Sequence, residues 1–253
     1  MTWAMKRRLI ILAVIAFVIG VTSLGTAFLL VHKAPTCVDG KQNQGEEGPD
    51  CGGPCPYLCT ISQAQPSVRF VRPLSPLPGR TDVIAYIDNP NPTSATKGAR
   101  FTTELYDDKN VVIAKSDGVV DLSPGATVPV FIPNFFSGSQ TVARAFLTFD
   151  QTSFRWFKAE PVPVTVVAKD VFVSQADPPR VTARLANLSA TNLRNIGLIV
   201  TVFDENGNAI ASSQTVAPEI AGQGTAEAVF TWPSAFPGTP SRIEVVPVTT
   251  LLP

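Results

Sequence analysis

The spacing of apolar and polar residues along the chain predicts one long helix followed by many short strands. Residues 9–31 read LIILAVIAFVIGVTSLGTAFLLV and contain no charged side chain. As a helix this segment would be about 34 Å long at ~1.5 Å per residue, enough to cross the ~30 Å hydrocarbon core of a bilayer. The apolar region of a cleaved secretory signal is usually only ~7–15 residues long. We therefore predict a transmembrane signal-anchor helix over residues 9–31, with a cleaved signal or a buried core helix as the alternatives.

The positive charges that flank this segment predict its orientation. Lys6, Arg7 and Arg8 precede it, whereas only His32 and Lys33 follow it closely. Lys and Arg are enriched on the cytoplasmic side of membrane helices. We expect a single-pass protein of the plasma (cytoplasmic) membrane, with residues 1–8 as a cytoplasmic tail and the C-terminal domains extracytoplasmic. The lipid bilayer is thus the first predicted partner, through residues 9–31.

The later part of the chain has the pattern of short antiparallel strands. The segment VTARLANL, which starts at Val181, alternates apolar with other residues at a period of two, as a half-buried strand does. Turn-forming residues recur between such segments. Asn206–Gly207 is the strongest hairpin signal, because type I′ turns need a positive φ at both central positions. No helical period of ten or more residues occurs outside the anchor.

The strand-forming part contains an internal repeat. Four pairs of residues align at offsets of 98, 97, 100 and 100 residues: Asn89 with Asn187, Asp107 with Asp204, Pro133 with Pro233, and Phe136 with Phe236. A nearly constant offset predicts two copies of one domain. The predicted fold class is all-β, with two tandem immunoglobulin-like antiparallel β-sandwiches over residues 67–158 and 159–253.

The composition of the chain excludes several classes of function. Lys+Arg 20 and Asp+Glu 20 give a formal net charge of zero, so the chain lacks the basic excess that binds nucleic acid. His32 is the only histidine, which excludes a multi-histidine metal site and any serine–histidine–aspartate triad remote from it. The sequence also lacks the common nucleotide-binding and hydrolase motifs. We predict a protein that is not an enzyme and that needs no cofactor.

All four cysteines lie in one glycine-rich, acidic segment. This segment has too few apolar residues to build a core, and on the oxidising side of a membrane two disulfides are the default staple. We predict a disulfide-rich stalk over residues 34–66, in which all three cysteine pairings remain open. A four-cysteine zinc site is the rival, and a calcium site is a separate candidate. The cysteines are Cys37, Cys51, Cys55 and Cys59, and the calcium candidates are Asp39, Asn43, Glu46 and Asp50.

The stalk contains a specific string of residues. From Cys37 to Cys55 the chain reads C-x-D-G-x-x-N-Q-G-E-x-G-x-D-C-G-G-x-C. This string resembles a short cysteine-rich module found in secreted and surface proteins of microbes. The resemblance covers this string alone, and it implies extracellular display beside a membrane anchor.

The repeats carry a second resemblance. The first repeat has D-N-P-N-P from Asp88 and E-L-Y-D from Glu104, followed by an apolar stretch and a Pro–Gly turn. It resembles the FxLYD and water-stress (late-embryogenesis-abundant-like) β-sandwiches and the CARDB adhesion-type domains. The second repeat keeps Asn187 and V-F-D but lacks N-P-N. The resemblance implies a non-catalytic, extracytoplasmic binding or spacer module.

An aromatic cluster ends the first repeat, where Phe154, Arg155, Trp156 and Phe157 follow one another. One interpretation is a last strand or interdomain plug that packs on the first repeat. The other is a contact for a partner protein, because Trp and Arg are enriched in binding hot spots.

Two pairs of polar residues recur at equivalent places in the repeats. Asn89 and Asn187 are expected to hydrogen-bond the loop backbone after an early strand. Asn187 also begins an Asn-Leu-Ser glycosylation pattern. Asp107 and Asp204 each follow an aromatic residue at a strand end and are expected to form turns.

Together these patterns predict a membrane-anchored, extracytoplasmic binding or scaffold protein of the cell envelope. Its partner would be a protein at the cell surface, bound through exposed β-sandwich surfaces. The alternatives are a structural component of a secretion or surface-filament assembly, a homo-oligomer, and a calcium-binding stalk protein.

Overall fold

The computed structural model describes residues 2–31, 36–136, 138, 140–161, 163–174 and 177–248, with the backbone alone for residues 28–31. His32 and Lys33, which entered the orientation argument, lie outside these residues. The chain divides into two compact units, residues 1–55 and 56–253.

The first unit begins with helix α1, Trp3–Val31. Among the described residues it is the one helix that is long and apolar enough to cross a membrane. Its apolar span is exposed within the protein rather than packed as a core helix. The helix therefore has the properties of a membrane anchor or a signal sequence.

The first repeat folds into seven strands: β1 Ser67–Leu77, β2 Arg80–Asp88, β3 Ser94–Tyr106, β4 Val112–Leu122, β5 Thr127–Phe136, β6 Arg144–Phe149 and β7 Trp156–Lys158. Short 3-10 helices at Thr60–Ser62 and Gln151–Ser153 precede β1 and β7. One antiparallel sheet has the order β1-β2-β5, and the other has the order β4-β3-β6 with β7 also paired to β3.

The second repeat folds into six strands: β8 Val166–Ser174, β9 Arg180–Asn187, β10 Leu193–Phe203, β11 Ala209–Ile220, β12 Thr225–Thr231 and β13 Arg242–Pro247. Its sheets have the orders β8-β9-β12 and β11-β10-β13. These orders reproduce those of the first repeat, strand for strand, with β7 as the addition. The predicted all-β fold and its internal repeat are confirmed.

Each pair of sheets encloses its own hydrophobic core, in a sandwich-like arrangement. The alternating residues predicted from VTARLANL point inward from β9, where Val181, Ala183 and Leu185 are fully buried. They pack on residues of the facing sheet such as Leu198 and Val200. The first repeat packs its two sheets in the same way around a second cluster, which contains Ala85, Ile87, Ala99, Phe101, Leu122, Leu147, Phe154 and Trp156. The immunoglobulin-like assignment stays a prediction.

The two sandwiches also pack against each other, through the β1-β2-β5 and β11-β10-β13 sheets. The ring of Phe203 meets the rings of Phe70 and Tyr86 edge-on, with centroids 6.4 and 6.2 Å apart. The Tyr86 hydroxyl donates a hydrogen bond to Glu244 Oε2 at 2.9 Å. The central strand β2 and the C-terminal part of β10 are therefore buried on both faces, and the four sheets lie in layers. The interface cluster comprises Phe70, Leu74, Ile84, Tyr86, Phe131, Ile199, Phe203 and Ala209.

Equivalent strands of the two repeats differ in polarity according to whether their outer face is covered. On β10, Ile199, Thr201 and Phe203 are buried against the first repeat. At an offset of 97 residues, the corresponding positions on β3 are Thr102, Glu104 and Tyr106, which are half-buried on an uncovered face. Polar residues at these positions suit contact with water, and apolar ones suit the interface.

The same rule holds for β2 and β9. Ile84 and Tyr86 are buried in the interface, whereas their equivalents on β9, Thr182 and Arg184, lie on an uncovered face. Arg184 forms an ion pair with Asp170 at 3.3 Å on that face. The outer face of the second repeat is thus a solvated one.

A glycine in β4 predicts a measurable packing effect. Gly118 pairs with Phe101 of β3, and a Cβ added at Gly118 would lie 2.3 Å from Phe101 Cζ. Gly118→Ala must therefore displace a buried ring, and we expect it to lower the free energy of unfolding by about 1–3 kcal/mol. Gly197→Ala is the control, because its Cβ would only touch Val248 at 3.4 Å. Urea unfolding followed by tryptophan fluorescence checks this, and equal effects of the two changes would contradict the packing argument.

Candidate functional site

The predicted disulfides of the cysteine-rich segment are present. Cys37 pairs with Cys55, with their Cα atoms 5.7 Å apart, and Cys51 and Cys59 are disulfide-bonded as well. No free cysteine occurs among the described residues. Because every sulfur is already bonded, the four-cysteine zinc alternative is wrong.

Two aspartates close the loop of this segment. The Asp50 carboxylate accepts hydrogen bonds from the main-chain N–H groups of Asp39 at 2.8 Å and Gly40 at 2.9 Å. The Asp39 carboxylate accepts from the Lys41 main chain and from Asn43 Nδ2, both at 3.0 Å. The hydrogen bond from Asn43 is the main reason that the pKa of Asp39 lies below its ordinary value. These carboxylates hold the backbone of the loop.

Glu46 is the buried member of the calcium candidates. Its Oε2 accepts a hydrogen bond from the Asn43 main-chain N–H at 3.1 Å. Its Oε1 lies 3.1 Å from Cys55 Sγ, a contact without a proton because that sulfur is in a disulfide. The four candidates therefore lie in one loop, where each makes a hydrogen bond within the loop, while Asn43 Oδ1 is buried without a hydrogen-bond partner. The calcium site stays a prediction.

Two glycines of the segment allow a close approach of the chain to itself. Gly52 and Gly53 both have positive φ. A Cβ on Gly52 would lie 2.6 Å from Glu47 Cβ, and one on Gly53 would lie 2.2 Å from the Gly45 carbonyl oxygen. Gly52 and Gly53 of the cysteine string thus allow the loop to adopt its fold.

Residues 56–66 are hydrogen-bonded to the first sandwich. The Leu58 main-chain N–H donates to the Trp156 carbonyl at 2.8 Å. Ala64 exchanges two hydrogen bonds with the Asn91 side chain, at 2.9 and 2.7 Å. Residues 56–66 were predicted as stalk, and the structure places them in the same compact unit as the sandwiches.

The aromatic cluster is divided between core and surface. Phe154 and Trp156 are buried in the core of the first sandwich, and Trp156 begins β7. Phe157 is half-buried and forms a β-bridge with Tyr57. Arg155 is exposed, with its guanidinium 5.8 Å from the Tyr57 ring centroid. The packing interpretation accounts for Phe154 and Trp156, which are too buried to contact a partner.

Asn89 and Asn187 form equivalent hydrogen-bonding hubs, as expected. Asn89 Nδ2 donates to the carbonyls of Ser94 and Ser123, both at 2.9 Å. Asn187 Nδ2 donates to three carbonyls, those of Thr191, Ile220 and Ala221, at 2.8 to 3.2 Å. Each hub joins the loop after an early strand to a later turn of its repeat.

The hub geometry bears on glycosylation of Asn187. This residue is only 2% exposed, and its Nδ2, the atom to which a glycan would be attached, is taken up by carbonyl acceptors. A glycan on this atom would disrupt the hydrogen bonds that Asn187 makes to these carbonyls in the folded domain. The glycosylation hypothesis therefore does not fit the structure.

Asp107 and Asp204 form the predicted turns, but the type I′ geometry predicted for Asn206–Gly207 is wrong, because Gly207 has a positive φ and Asn206 does not. Asp204 Oδ1 accepts hydrogen bonds from the main-chain N–H groups of Asn206 at 2.9 Å and Asn208 at 2.8 Å. Asp107 accepts bonds from the residues two and four positions on, at 2.9 and 2.7 Å. The two aspartates are turn residues of separate repeats, which agrees with the sequence argument against a carboxylate pair.

The Asp204 turn predicts a dependence of stability on pH. The main-chain hydrogen bond from Asn208 holds the pKa of Asp204 below its ordinary value. The stability that this group contributes is complete above the unfolded pKa of ~3.9 and is lost as the pH falls through the lower folded pKa. Asp204→Asn should therefore flatten the loss of stability below pH ~4. Thermal unfolding over this range checks it, with Asp108→Asn as an exposed control, and identical pH profiles would contradict it.

Sequence reasoning missed the residues that join the repeats. Phe70, Ile84, Tyr86 and Phe203 form the interface and were not singled out. The signal was present in the alignment of the two repeats, in which apolar residues of one copy correspond to polar residues of the other.

Comparisons with known proteins give little guidance. No family model matches the chain, and no curated protein matches it. A solved structure of red sea bream transglutaminase is similar to it, with a TM-score of 0.23 and 10% identity over 74% of this chain. The match covers 29% of the transglutaminase chain, so this chain spans under a third of that protein's length. A likeness this distant carries no argument about activity.

Proposed function

We propose that this chain is a membrane-anchored scaffold protein of the cell envelope, without enzymatic activity, whose sandwiches bind a protein partner outside the cytoplasmic membrane. Helix α1 is the anchor in this proposal, and Lys6, Arg7 and Arg8 keep its N-terminus in the cytoplasm. The resemblances of the cysteine string and of the repeats to surface and adhesion-type modules belong to the same proposal.

The observation that carries the proposal is the succession of an exposed apolar helix and two disulfides. An apolar helix of this length has no partner within the described protein, and a bilayer is the environment that would cover it. Disulfides persist in oxidising compartments and are rare in the cytosol. The two features together favour a chain that starts at a membrane and folds on its oxidising side.

The layered sandwiches support a scaffold role. The interface cluster buries both faces of β2 and of the C-terminal part of β10, which favours a fixed arrangement of the two repeats and of the loops that they present. We expect residues 56–253 to behave as one body in solution scattering, and a broad range of distances between the repeats would contradict this.

The filament alternative has less support. Stacking of further copies would place the uncovered faces of β3 and β9 in contact. Those faces carry Glu104 and Lys115, which form an ion pair, and the Arg184–Asp170 pair. Burying such pairs costs desolvation energy, whereas the internal interface is built from aromatic and aliphatic side chains.

Orientation is tested on the full chain with a C-terminal epitope in intact cells. Protease added outside should remove the epitope, and carbonate washing should leave the chain in the membrane. A variant with Lys6, Arg7 and Arg8 changed to Glu should lose this orientation, because positive charges near the helix end set topology. A matched variant with Lys41 changed to Glu should keep it. An epitope that is digested only after lysis would overturn the proposal.

A further inference from the structure

An apolar groove runs between the two repeats. It has a volume of about 540 Å³ and is lined by the end of β4 and most of β5, the linker at Pro161 and Pro163–Val166, and parts of β10, β11 and β13. Phe131 and Ile199 belong both to this lining and to the interface cluster, so the groove continues the interface to the surface. Its volume lies in the range of ligand pockets, which often occur at domain interfaces.

The lining excludes a charged occupant. Asp121 is the one ionisable residue in it, and its carboxylate already accepts a hydrogen bond from the Gly98 main-chain N–H at 2.8 Å. The lining offers no cation to hold a carboxylate or phosphate, and Asp121 would repel one. A cation would find only the Asp121 carboxylate, one oxygen of which already accepts from Gly98, so the groove suits an uncharged occupant best.

The lining also disfavours a polypeptide strand. A strand that paired with the rim would need main-chain N–H partners, which proline cannot supply. Five prolines line the groove: Pro124, Pro129, Pro161, Pro163 and Pro247. An alkyl chain, in contrast, has no hydrogen-bonding groups to satisfy, and the side chains of Val130, Val164 and Val248 offer it apolar contact.

We propose that this groove binds the alkyl chain of an uncharged lipid, such as a long-chain alcohol or ester, with the exposed Gln214 amide at its mouth available to the hydroxyl or ester oxygen. This site lies wholly within residues 56–253 and does not depend on the proposed membrane anchor.

The test is photo-crosslinking of the full chain in membranes with a diazirine-bearing hexadecanol, followed by peptide mapping. We expect label on peptides that contain Val164 and Val248. Gln214→Trp should place an indole across the mouth and lower this label about tenfold, which corresponds to about 1.4 kcal/mol of binding. Val216→Trp is the matched control, because Val216 is exposed on the same face of β11 but does not line the groove. It should leave the label unchanged.

The outcomes separate this proposal from the proposed function. Label on α1 reports the anchor alone, so label confined to α1 would overturn the groove site and leave the anchor standing. Label in the groove without label on α1 would support the groove site and overturn the anchor. Equal labelling of Gln214→Trp and the unaltered chain, or equal loss in both tryptophan variants, would also overturn the groove site. Both positions are exposed, so the variants should fold, and their unfolding temperatures check this.

Discussion

Phe203→Ala is expected to lower the free energy of unfolding by about 3–5 kcal/mol, the usual cost of removing a buried phenylalanine. Phe203 is 2% exposed and lies at the centre of the interface between the repeats. Its ring contacts those of Phe70 and Tyr86, and the Arg242 guanidinium lies 3.9 Å from its centroid. Removing the ring leaves a cavity between two sheets that are fixed by their own cores.

The repeat supplies a matched control for this change. Tyr106 holds the equivalent position on β3, where the outer face is uncovered and its ring meets Phe146 at 5.5 Å. Tyr106→Ala should cost about 1 kcal/mol, the value of an aromatic pair. Urea unfolding of the full chain in detergent, followed by tryptophan fluorescence, compares the two, with Trp156 and Trp232 as the buried reporters and Trp3 as an exposed background. Equal losses would contradict the larger contribution to stability that we expect from the interface.

Asn187→Ala is the second change with a large expected effect, a loss of about 3 kcal/mol or more. It removes a donor to three carbonyls and the acceptor for the Ser189 main-chain N–H at 2.9 Å. A buried group left without its partner costs about 1–3 kcal/mol, and several are orphaned here. Asn89→Ala should cost a similar amount, because the first hub has the same arrangement.

An exposed asparagine in the same repeat is the control for the hub. Asn206→Ala, in the β10–β11 turn, should change the free energy of unfolding by no more than about 0.5 kcal/mol. The same urea experiment measures all three variants. Hub variants that unfold at the same urea concentration as Asn206→Ala would contradict the role assigned to the hubs.

Much of the fold is predictable from sequence because its signals are local or repeated. The apolar run of residues 9–31 and the Asp204 turn are local patterns. The near-constant offset between aligned pairs, such as Asn89 and Asn187, revealed two copies of one fold. The cysteine pairing was open, since four cysteines in one loop satisfy several pairings equally well.

The interface and the groove could not be predicted from the sequence in the same way. Burial of both faces of β2 and β10 depends on which sheets meet, which is a tertiary property. Phe154 and Trp156 show the converse problem, since aromatic residues suit a core and a binding surface alike. Side-chain type alone therefore did not separate packing from contact with a partner.

The redox state of the four cysteines in native membranes shows on which side of the membrane the chain folds. Membranes are treated with a maleimide-linked polymer before and after reduction, and the shift in gel mobility counts the free thiols. We expect no labelled cysteine before reduction and four after it, because in our proposal the chain folds on the oxidising side of the membrane with two disulfides. Labelling of the cysteines without reduction would place this segment in a reducing compartment and contradict the extracytoplasmic scaffold.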